Sequence, residues 1–146
     1  MPVERFPFFR AYPADPKKRP WLFIRLKNPD KGKVFSTVGL VDTGADECCM
    51  PACYADFLGH NLTAGTAKKI NTGNGITTAY CHTCTIEILD TNLLFKGKQK
   101  VVNTIEKTLI DFMPNLHCAL LGVGNFLSQF ILTIDYPREV FSIRKP

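Results

Sequence analysis

The chain has 146 residues, eighteen Lys plus Arg against thirteen Asp plus Glu, a formal charge of +5 and a hydrophobic fraction of 45%. That length fits one domain able to bury a core, and the composition excludes a chain that is disordered throughout. Apolar stretches such as Ala119-Leu120-Leu121 and Phe130-Ile131-Leu132 fall far short of the roughly 20 residues of a spanning helix, so no membrane partner is expected.

The positive excess is mild and dispersed. Lys17-Lys18-Arg19, Lys68-Lys69 and the lysines from Lys96 to Lys100 are short separate groups, which fits solvated surface better than a stripe tracking nucleic acid. The start, Met1 to Pro7, lacks a basic segment followed by an apolar one, so a cytoplasmic location is expected. In that setting the six cysteines read as thiols. Cys81-His82-Thr83-Cys84 is a lone C-x-x-C whose cysteines would face opposite sides of a strand, and Cys48, Cys49 and Cys53 have no matching His pair. Neither a metal nor a cofactor is expected.

Residues 1–20 hold Pro2, Pro7, Pro13, Pro16 and Pro20 among Phe6, Phe8, Phe9 and Tyr12. Proline at that density argues against regular ladders and for an extended arm, whose aromatics pack on the barrel or on a second subunit. Residues 21–146 then form the folded domain. Leu22, Ile24 and Leu26 alternate with Phe23, Arg25 and Lys27, the period of a half-buried strand. Asn28-Pro29-Asp30-Lys31-Gly32 supplies a turn and Val34 to Val41 a returning strand. Pro51 to Leu58 reads as a short helix stopped by Gly59. Short strands are expected around Ile86-Glu87-Ile88, Val101-Val102 and Leu109-Ile110. A helical turn is expected over Phe126, Leu127 and Phe130 behind Asn125 as cap, and two closing strands over Ile131–Ile134 and Val140–Ile143.

The informative stretch is Leu40-Val41-Asp42-Thr43-Gly44-Ala45-Asp46, where an apolar strand ends on an acid, a hydroxyl and a glycine. It resembles the active-site motif of the retroviral-type (retropepsin-like) aspartic proteases. Downstream, Ala119-Leu120-Leu121-Gly122 and the segment to Asp135 resemble that family's apolar-apolar-Gly element, short helix and closing strand. Between the two lies Asn71-Thr72-Gly73-Asn74-Gly75-Ile76-Thr77, glycine-rich like the family's flap, although an ordinary β-turn would carry the same residues. The resemblance spans about residues 21 to 144. It implies a mainly β fold, a closed, acid-protease-like barrel with a flap hairpin and one or two short helices.

The resemblance also implies an aspartic endopeptidase acting on polypeptide, with Asp42 catalytic. Thr43 and Gly44, backed by Leu121 and Gly122, would support the active site, while Ala45, Asp46, Gly73, Asn74 and Gly75 would bind substrate. A structural turn acid is the alternative for Asp46. Leu89-Asp90-Thr91-Asn92 lacks the glycine of a second motif, so one chain offers one catalytic carboxyl and a homodimer is expected. Val123 stands where the viral enzymes commonly place Arg, and Gly124 is additional, which resembles cellular and bacterial relatives more closely. A catalytically inactive binding or assembly protein on the same fold is the alternative.

Overall fold

The computed structural model describes residues 4–146, which fold as a mainly β structure with two short helices. The strands are β1 (Glu4–Pro7), β2 (Trp21–Lys27), β3 (Val34–Val41), β4 (Cys49–Pro51), β5 (Thr66–Thr72), β6 (Gly75–Leu89), β7 (Val101–Met113), β8 (Ala119–Leu121), β9 (Ile131–Asp135) and β10 (Val140–Arg144). The helices are α1 (Ala52–Phe57) and α2 (Thr91–Phe95). None of the described helices is long and apolar enough to cross a membrane.

Six strands close on themselves in the order β2-β3-β8-β4-β7-β6, with β6 returning to pair with β2. Closure removes free sheet edges and gives every strand an inner and an outer face. The inner face follows the alternation read in the sequence. Leu22, Ile24 and Leu26 of β2 are fully buried with Ile86 and Ile88 of β6, Ile110 and Phe112 of β7, Met50 and Leu121. A smaller apolar cluster on the outer side joins Cys49, Ala79 and Met113 to Ile70, Leu116 and Leu120.

Two strands are longer than the sequence suggests. β6 and β7 each run through stretches where polar residues interrupt the apolar ones, and they pair from Tyr80 with Phe112 to Leu89 with Val101. β6 begins beyond the ring, in a hairpin with β5, and there Gly75 to Thr78 are exposed or half-buried and carry no clean alternation. α1 forms where expected and ends at Gly59, whose φ of 75° lies in the left-handed region that halts a helix. Behind Asn125 there is only a 3-10 turn, Leu127–Gln129, and Asn125 does not cap it. α2 is an element the sequence reading did not include, and Asp90 caps it by accepting the Leu93 N–H at 3.1 Å.

The proline-rich segment departs from a ladder-free arm. β1 pairs antiparallel with β10 from Glu4 opposite Ile143 to Pro7 opposite Val140, in a three-stranded sheet ordered β1-β10-β9. Pro7 is tolerated because β1 is an edge strand, where a missing N–H breaks no second ladder. Phe6 meets Phe141 edge-on at 5.8 Å, and Phe8 lies 6.1 Å from the same ring. These aromatics therefore pack on the barrel of their own chain.

His60, just past α1, lies 4.5 Å from the ring of His82 and 3.5 Å from the Cys84 thiol. Burial first, and the neighbouring His82 second, hold the His60 imidazole below its ordinary value of 6.5.

Phe6 has no exposed surface, so Phe6→Ala is expected to cost about 3–5 kcal/mol in urea unfolding, whereas a segment merely draped on the barrel would lose under about 1 kcal/mol. Because His60 takes a proton more readily unfolded than folded, its contribution is complete above pH 6.5 and is lost as the pH falls toward the lower folded value. His60→Gln should therefore lose less stability than the wild type between about pH 7.5 and about pH 5, measured by the same unfolding experiment.

Candidate active site

β3 and β8 run parallel, with Gly39 opposite Ala119, Leu40 opposite Leu120 and Val41 opposite Leu121. The pairing requires close approach, since a Cβ on Gly39 would stand 2.8 Å from the Leu121 side chain. It continues one residue past β3, where the Asp42 N–H donates to the Leu121 carbonyl at 3.1 Å. The chain then turns sharply. Ala45 N–H donates to the Asp42 carbonyl at 3.2 Å and Gly44 N–H donates to Asp42 Oδ1 at 2.9 Å. A backbone donor thus orients the carboxylate of a half-buried residue, leaving Oδ2 free of any hydrogen bond within the described chain.

The loop rests on the segment that follows β8. Val123 N–H donates to the Ala45 carbonyl at 2.9 Å and Gly124 N–H to the Asp46 carbonyl at 2.6 Å. A side chain at Gly122 would overlap the backbone of Glu47 and one at Gly124 would overlap Asp46 and Glu47. Two glycines therefore let one backbone lie directly on another, and their N–H and C=O groups satisfy each other. Glu47 completes the contact by accepting the Asn125 amide at 2.9 Å.

The structure thus brings Asp42, Thr43, Gly44, Ala45, Asp46, Leu121 and Gly122 together in one compact unit. Thr43 and Asp46 are exposed, and neither side chain has a hydrogen-bond partner among the described residues. Gly73 and Asn74 form the tip of the β5–β6 hairpin, with Gly75 at a φ of 108° and the Thr72 hydroxyl donating to the Gly75 carbonyl at 2.9 Å. No hydrogen bond joins this tip to the Asp42 loop among the described residues. Instead the tip stands over a cavity of about 350 Å³ whose other wall is the Met113–Leu116 connection. Ile76, beside the tip, is 71% exposed.

The contacts of three residues of this region, Glu47, Gly124 and Asn125, are not legible in the sequence. Glu47 and Asn125 are 78 positions apart and no local pattern joins them. Gly124, an additional glycine in the sequence, makes its contact with Asp46 and Glu47 only in the folded chain. The adjacent cysteines are weak nucleophiles. Burial pushes the Cys48 thiol up to about 12 and, with Asp111 as the second cause, Cys49 up to about 11. Burial and then the Asp42 charge also raise Cys118. Cys81 and Cys84 point apart, one to Asp111 and the other to His60. Among the described residues no group of three or more His, Cys, Asp or Glu is arranged to hold a metal ion.

A solved structure of a retropepsin-like aspartic protease from Rickettsia conorii superposes with a TM-score of 0.65 at 17% identity, covering 97% of this chain and 91% of that one. The fold is retropepsin-like. No family model and no curated protein sequence matches the chain. At that identity the likeness concerns the arrangement of strands, and the chemistry has to be argued from the residues themselves.

The glycines of the two loops should respond differently to a methyl group. Gly122→Ala forces backbone apart and is expected to cost about 1–3 kcal/mol in denaturant unfolding. Gly73→Ala meets nothing within 4 Å and should stay within about 0.5 kcal/mol of wild type.

Proposed function

We propose that the chain is an aspartic endopeptidase in which Asp42 of two copies forms one catalytic pair. The observation that carries this reading is the Asp42 loop itself. A single carboxylate is presented at the end of a barrel strand, aimed by the Gly44 N–H and braced from behind by the Gly122–Asn125 segment. The retropepsin-like fold supports it, because there this loop would occupy the position of a protease active site.

The chemistry needs two carboxyls. One, ionised, takes a proton from the attacking water, while the other, protonated, gives one to the oxygen of the scissile carbonyl. Two such groups side by side share one proton because both cannot ionise cheaply at that distance, and the resulting pKa values belong to the pair. One chain has no second Asp-Thr-Gly, and Asp90 of the nearest candidate is engaged as the cap of α2. A two-fold axis beside the Asp42 loop would supply the missing carboxyl from a second copy. Thr43, exposed and without a partner among the described residues, is then free to bond across that axis.

In this reading the β5–β6 hairpin is the flap. Its Gly73, Asn74 and Gly75 would cover a bound polypeptide, and Ala45 and Asp46 would meet the substrate backbone on the other side. The carboxylate of Asp46 is exposed and unengaged, which suits binding better than a structural turn role. The reading needs no metal or cofactor.

Incubation of the purified chain with an unstructured polypeptide at mildly acidic pH tests the proposal. Cleavage that pepstatin blocks is expected. Asp42→Asn should lower its rate by about 10²–10⁴-fold or more while leaving the unfolding transition in place. A proven dimer that never cuts would instead favour a binding protein on this fold. Cleavage undiminished in Asp42→Asn would remove Asp42 from the mechanism.

A further inference from the structure

Asp111 is a buried carboxylate that the proposed dyad does not use. It lies in a row that crosses three neighbouring strands, with Cys81 of β6 opposite it on one side and Cys49 of β4 on the other. Directly opposed residues send their side chains to the same face of a sheet. Here that face is the outer one, which also carries Leu120, Met113 and Ala79 beneath the base of the β5–β6 hairpin.

An apolar cluster is a costly place for a charge unless the charge is paired. Asp111 is only 3% exposed. Its Oδ2 meets Lys68 Nζ at 2.8 Å, and its Oδ1 accepts the Cys81 thiol at 2.8 Å. Its backbone N–H donates to the Cys48 carbonyl at 3.0 Å, one residue beyond Glu47. One residue therefore touches β5 through Lys68, β6 through Cys81, and the end of the Asp42 loop through Cys48.

Apart from its ladder with β6, from Thr66 opposite Cys81 to Thr72 opposite Gly75, and the contact of Ile70 with the outer cluster, β5 has no further packing on the barrel among the described residues. Its residues are exposed apart from half-buried Ile70, and Lys68–Asp111 is the only ion pair between the hairpin and the barrel among the described residues. The two partners differ in one respect that matters. The Lys68 side chain is 41% exposed and can swing into water, whereas Asp111 would be left buried without its cation. Opening is thus allowed but disfavoured.

We propose that Asp111 is a positioning residue that, through Lys68, clasps the β5–β6 hairpin to the barrel and sets how closely that hairpin stands against it. Its catalytic consequence rests on the protease reading, while its structural consequence does not. Loss of the clasp releases the hairpin and weakens substrate retention without touching the reacting carboxyls.

Amide hydrogen exchange of the full chain, read over Thr66–Thr72, tests the clasp without any turnover. Lys68→Met should speed exchange there by about tenfold with the barrel strands unchanged, and Lys68→Arg should restore it. Asp111→Asn should speed exchange similarly, and adding Lys68→Met to it should change nothing further. Should Asp111→Asn fail to fold, the Lys68 variants decide alone. Wild-type exchange in Lys68→Met would overturn the clasp. In an active preparation, Lys68→Met should raise KM several-fold with kcat little changed, again rescued by Arg. A fall in kcat at constant KM would overturn the positioning role even if exchange responds.

Discussion

The parallel pairing of β3 with β8, and the bare backbone of Gly122 where that pairing ends, is the constraint on which the rest of the site depends. Two strands from opposite halves of the chain arrive side by side only because Gly39 leaves room for Leu121. One residue further, Gly122 lies against the backbone around Glu47, so the loop bearing Asp42 is pressed against a second loop. The loop's own amides then have fixed partners: Asp42 bonds to Leu121, and Ala45 and Asp46 accept from Val123 and Gly124. A carboxylate on a free loop would sample many directions. Here the main chain leaves it few, and preorganisation of this kind is what proton-transfer chemistry requires.

The charges around the loop divide into engaged and unengaged groups. Glu47 is held by Asn125, Asp111 by Lys68, and Asp90 by the first turn of α2, so each has a structural partner. Among the described residues Asp46 has none, and the Asp42 carboxylate has only the Gly44 N–H on one oxygen. On the resemblance to the viral enzymes, Val123 would stand where they commonly carry Arg. In its place the brace is made by backbone amides and the neutral Asn125 side chain, which fits the loop together without adding a charge beside the two acids.

Much of this was legible because the signals were local. The β2–β3 hairpin declared itself by alternation and turn residues, α1 by Pro51 and Gly59, and the Asp42 loop by an apolar strand broken at Asp-Thr-Gly. The length of β6 and β7 was not legible, since Thr83, Glu87, Thr104 and Glu106 interrupt the apolar runs and part of β6 leaves the barrel. β1 was hidden by the prolines in and around it, although an edge strand tolerates Pro7. α2 spans five residues, too few for a helical period, and Asp90, whose Asp-Thr-Asn lacks the glycine of a second motif, serves as its cap. Glu47–Asn125 and Lys68–Asp111 join residues far apart in sequence, and only the folded chain brings them within reach.

The proposed chemistry depends on the sharing of one catalytic pair between two chains. Its most direct test is to mix a fixed amount of wild-type chain with about a tenfold excess of Asp42→Asn chain, allow the subunits to exchange, and measure cleavage. If each active centre needs an intact Asp42 from both copies, mixed dimers are dead and activity should fall to about a tenth. Cleavage unchanged by the excess would mean that one chain works alone, and would contradict the shared pair.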